Sequence, residues 1–265
     1  MMTIIPAGSR LVRRTCANMA EQAQPQPQVQ IFQVGGQIVD PADPAPHWLY
    51  TVVIAGAMVP RLHHPLWYRL IGAMTAEEAD AALSSAVGMP NFSRFDAGIF
   101  EIFCQEQRWQ IATTSRDKRE RLLDVVRVVF DDRLKDTPVM AFGINTTANL
   151  KTDARNAPAV IGRIIAETDL GLPAAGLVQP MIVYEDATSD RKVTIGINAV
   201  PGIPARISVS YNVHHPVQVP ADQPVFDVGE LIREHYDADH QAGEDYSGAL
   251  VERINRRAEV QSAGQ

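Results

Sequence analysis

The chain has 265 residues, 46% of them hydrophobic, which excludes a wholly disordered protein and allows one large domain or two small ones. A formal net charge of −7 with 6% aromatic residues gives neither the broad positive field nor the stacking surface that nucleic-acid binding uses. The two cysteines, Cys16 and Cys104, make no disulfide framework and no CxxC pair, and no apolar run nears the ~20 residues of a membrane span.

The N-terminal residues, 1–30, read as a disordered extension. Met19 opens a polar stretch, MAEQAQPQPQ, so the first 18 residues read as an addition to a natural start. The Gln/Pro tract that follows is too poor in apolar groups to pack. Order begins near Ile31 with IFQVGGQIV, a short strand or hairpin broken at Gly35 and Gly36. Residues Trp48 to Val59 are β-branched and apolar on both faces, which predicts a buried strand, or an edge awaiting a partner. Thr75 and Glu78 match a capping box ahead of a helix over 76–87.

Two strand-like runs follow, Arg94 to Cys104 and Arg108 to Thr114. Thr114 and Asp117 suggest a second capping box. The next helix carries Leu122, Val125, Val126, Val129, Phe130 and Leu134 on one face. Its other face, with Arg119, Asp124, Arg127 and Asp131, is expected in solvent. Thr137-Pro138 stops it, and a strand through Met140, Phe142 and Ile144 comes next.

After a short helix to about Glu167, three strands are expected: Val178 to Tyr184, Val193 to Ala199 and Ile207 to Val213. Their short polar connections favour an antiparallel meander. Asp227 to Arg257 reads as two helices parted near Gly243, with a frayed tail over 259–265. The fold class expected is α+β: a strand-strand-helix-strand unit, then the meander, in a mainly antiparallel sheet with flanking helices. Residues 31–258 read as one domain, with a sub-domain division near residue 170 as the alternative.

Phosphate-loop and nucleophile-elbow motifs are absent. Four of the seven histidines sit in two His-His-Pro segments, His63-His64-Pro65 and His214-His215-Pro216. Imidazole ligates transition metals well, so these four are the candidate metal ligands, zinc being a suitable ion. Adjacent residues of an extended chain face opposite ways. Each pair therefore offers one ligand inward, and a carboxylate such as Asp96, Glu185 or Asp186 would have to join them. The structural alternative is that they are polar strand-end residues before a proline.

His235 and Asp239 share a helix face beside His240, a spacing that suits a metal or proton relay. The surrounding acids favour a solvated acidic face instead. The hairpin tip EDATSDRK (185–192), the basic run SRDKRERL (115–122) and the strand residue Asn145 are read as structural, and Cys104 as a reduced core residue. No catalytic residue and no cofactor is singled out.

RWQIATT (108–114), RLLDVVRVVF (121–130) and DTPVMAFGIN (136–145) in this order resemble a group of uncharacterised bacterial α+β proteins, over about residues 95–150. The resemblance implies a bacterial, cytoplasmic protein and carries no activity. The leading expectation is a soluble, non-enzymatic binding or accessory protein acting through a protein partner or self-association. The alternatives are a metal-dependent hydrolase built on the histidine pairs and a structural subunit of a larger assembly.

Overall fold

The computed structural model describes residues 45–152, 181–185, 191–200, 205–217 and 227–262. All of these lie in one compact unit, Val34–Gln265. Among the described residues nine strands form a single sheet: β1 His47–Gly56, β2 Val87–Met89, β3 Phe92–Asp96, β4 Glu101–Gln105, β5 Arg108–Thr113, β6 Val139–Lys151, β7 Met181–Glu185, β8 Lys192–Ala199 and β9 Arg206–Pro216. Every neighbouring pair is antiparallel, in the order β2-β3-β4-β5-β1-β6-β9-β8-β7. The fold is α+β, and one sheet takes strands from both sides of residue 170.

Alternation along the strands sorts the sheet into two faces. On the inner face, register places apolar residues in rows that run from strand to strand. One row reads Phe95, Ile102, Ile111, Val52, Ile144, Val213, Val193. The opposite face carries Thr51, Asn145, Asn212 and Thr194 in one row. Asn145 is therefore part of a polar ladder.

Four helices bury their apolar stripes against the inner face: α1 Pro65–Leu70, α2 Ala76–Leu83, α3 Arg119–Val126 and α4 Val228–Ser262. The first three and the start of α4 cover one core around Trp109, Phe130 and Tyr68. The C-terminal half of α4 covers a second core over β6, β8 and β9.

Local signals explain several ends. The capping box before α2 forms as expected: Glu78 N donates to Thr75 Oγ1 at 3.2 Å, and Thr75 N donates to Glu78 Oε2 at 2.8 Å. Glu78 also takes Arg121 Nε at 3.0 Å and Nη2 at 2.7 Å, so the cap of α2 is tied to α3. Ser115 precedes a short 3-10 turn without a side-chain cap.

The apolar stripe from Leu122 to Phe130 is buried, but its helix is not uniform. It widens to π geometry over Arg127–Arg133, where Leu134 N donates to Val129 O, five residues back, at 2.7 Å. The extra residue in that turn keeps both Val129 and Phe130 against the sheet.

Three expectations are corrected. Arg94 to Cys104 is two strands, β3 and β4, because Gly98 takes φ +83° in a tight turn held by Gly98 N donating to Asp96 Oδ1 at 2.7 Å. The apolar strand β1 is central, between β5 and β6, and is no edge. The C-terminal segment is one 35-residue helix. Gly243 lies inside it because α4 crosses β6 there: a Cβ on Gly243 would stand 2.7 Å from Thr146 Cβ. The expected strand at 31–39 and helix up to Glu167 fall outside the described residues.

Two glycines of α4 should respond oppositely to alanine. Gly243→Ala should destabilise by about 1–3 kcal/mol through overpacking against Thr146. Gly248 is exposed with nothing within 4 Å, so Gly248→Ala should stabilise by up to ~1 kcal/mol from helix propensity. Urea unfolding of the two variants checks both signs.

Candidate functional site

The two His-His-Pro segments do not meet. The His63 carbonyl accepts Ser93 Oγ of β3, whereas His215 pairs with Phe142 in the β9–β6 register. Those strands are five steps apart, on the order of 24 Å at ~4.8 Å per step. Within each pair one imidazole is buried and one exposed, as alternation requires: His63 and His215 are inside, His64 and His214 outside. Among the described residues no three of His, Cys, Asp and Glu converge on a common point that could hold a metal. Asp96, offered as a helper, is engaged with Gly98, and Asp186 lies outside the described residues.

Each buried imidazole has a local task. Trp109 Nε1 donates to Tyr68 Oη at 2.8 Å, and Tyr68 Oη stands 2.7 Å from His63 Nδ1. Tyr68 Oη thus joins the Trp109 indole to the His63 imidazole in one buried chain of hydrogen bonds. The His63 ring meets Trp67 edge to face at 5.6 Å. Burial lowers its pKa to about 4.

The second buried pair lies under α4. One inner-face row reads Cys104, Trp109, Ile54, Phe142, His215, so His215 continues a row that is apolar on β4, β5, β1 and β6. Two rows along the same face come Tyr50, Thr146, Tyr211 and Ile195, with Thr146 as the polar member. Helix α4 answers both with consecutive residues. Asp239 Oδ2 lies 2.6 Å from His215 Nε2, and His240 Nδ1 lies 2.8 Å from Thr146 Oγ1.

Around Asp239, Arg191 Nη1 donates to Oδ1 at 3.3 Å. The His215 ring stacks on Phe142 at 4.6 Å and on His235 at 4.4 Å. Around His240, Tyr50 and Tyr236 stand edge to face at 5.2 and 4.6 Å. Burial, reinforced by the Arg119 charge, lowers the His240 pKa to about 3.

One turn further, Glu244 accepts Tyr50 Oη at 2.8 Å and pairs with Arg116 at 2.8 Å and Arg119 at 3.5 Å. The acidic helix face expected in solvent is thus turned inward at Asp239 and Glu244, because cationic and polar groups of the sheet and of α3 wait beneath it. Arg119, also expected in solvent, sits over the Tyr50 ring at 5.1 Å. Asp131 takes the Gly229 N–H at 2.7 Å and caps the start of α4. Cys104 is fully buried, and burial pushes its thiol up to about 12.

The surface holds the feature that sequence reasoning missed. The exposed large apolar side chains among the described residues are Val59, Leu62, Leu66, Leu70, Leu83, Val87, Met89 and Met140. All but Met140 belong to one stretch, 59–89. Its elements are contiguous: the 3-10 turn Pro60–Leu62 packs on β2 and β3, and α1 packs on α2. Leu66 and Leu70 share one face of α1, with Leu70 82% exposed. Val87 and Met89 project from β2, which is an edge of the sheet. The legible signal was a short helix, PLWYRL, with leucines four apart and more apolar positions than one core-facing stripe can bury.

No family model matches the chain, and no curated protein matches it. No helix among the described residues is long and apolar enough to cross a membrane.

The two neutral buried histidines give a pH signature. Their folded pKa values lie below the ordinary 6.5, so the unfolded chain binds two protons that the folded chain refuses. The stability they contribute is complete above pH 6.5 and falls as pH drops towards 4, with a slope of up to about 2.7 kcal/mol per pH unit. His240→Gln should remove about half of that contribution. Urea unfolding free energies of wild type and variant, compared at pH 7, 6, 5 and 4.5, isolate the difference. Parallel curves would refute the assignment.

Proposed function

We propose that this is a binding or accessory protein that acts through a protein partner, and that the partner docks at the β2 edge and the apolar rim beside it. The observation that carries the reading is the concentration of exposed Val59, Leu62, Leu66, Leu70, Leu83, Val87 and Met89 on adjoining elements. Scattered apolar side chains are ordinary on a protein surface, whereas a contiguous group marks an interaction site. Among the described residues β2 has no strand on its outer side, so its edge offers backbone groups to which an extended segment can hydrogen-bond.

The internal chemistry supports the same reading. The titratable side chains under α4 are held by one another, and each has a packing role. The basic run at 115–122 is similarly occupied: Arg116 and Arg119 hold Glu244, and Arg121 holds Glu78. The part of the surface richest in unsatisfied apolar area is left as the working face.

Tagged wild-type protein and a Leu66→Asp/Leu70→Asp variant, captured side by side from the native host and analysed by mass spectrometry, test the proposal. A partner retained at near-equal stoichiometry by the wild type should be lost at least tenfold by the variant. Both proteins should unfold at closely similar urea concentrations, since the two leucines are exposed. Equal recovery by both proteins would exclude this surface.

A further inference from the structure

No further inference is drawn: the strongest candidate, the exposed apolar patch along α1 and β2, belongs to the docking surface already described, and nothing in the structure shows what covers it.

Discussion

The placement of one helix over one sheet depends on two consecutive residues. Asp239 and His240 of α4 meet His215 and Thr146, which lie two rows apart on the inner face. A buried hydrogen-bonded pair of titratable groups contributes little net stability, because desolvation offsets their attraction. Its effect is on alternatives. Sliding α4 by one residue would leave a carboxylate in the core without its partner, a fault that costs about 3–5 kcal/mol. Apolar contacts along α4 tolerate small slips; these polar contacts do not.

Once that register is fixed, the other contacts of α4 follow along its length. Gly243 arrives over Thr146, where there is no room for a Cβ. Glu244 arrives under Arg116 and Arg119 and beside Tyr50. Towards the N-terminal end, Tyr236 donates to the Arg119 carbonyl at 2.9 Å and Gly229 to Asp131. The π turn carries Asp131 and also keeps Val129 and Phe130 on the sheet, so one irregular turn both packs the core and caps the helix that crosses it. The two cores are then spanned by a single rod, which joins the β1–β6 part of the sheet to the β8–β9 part.

What the sequence showed of this was its local part. The Thr75–Glu78 capping box needs residues three apart, and it is present. The alternation of Val193, Ile195 and Ile197, and of Ile207, Val209, Tyr211 and Val213, is visible in any window of eight residues, and those side chains are buried. The misreadings share a cause. Asp239 and Glu244 look solvated in a segment dense with acids, and only their partners on β9, β1 and α3 turn them inward. Gly243 looks like a helix break, and only the approach of Thr146, 97 residues earlier in the chain, makes it an interior position. The His-His-Pro repeat invited a common site. Strand order, which no local pattern encodes, puts four strands between its halves.

Histidine, aspartate, glutamate and arginine are drawn inward around α4, while leucines and a methionine remain outside along α1 and β2. Burying a leucine contributes roughly 1.5–3 kcal/mol, so leaving Leu66 and Leu70 in water forgoes stability that the fold had the apolar residues to gain. The core beneath is already closed: Tyr68 of the same helix is fully buried and hydrogen-bonded to Trp109 and His63. Turning α1 to hide its leucines would break that chain of buried hydrogen bonds and expose Pro65 and Tyr68 instead. The helix is thus held with its leucines outward by its own polar anchor. The free energy of covering them is recovered only when another surface is laid on top.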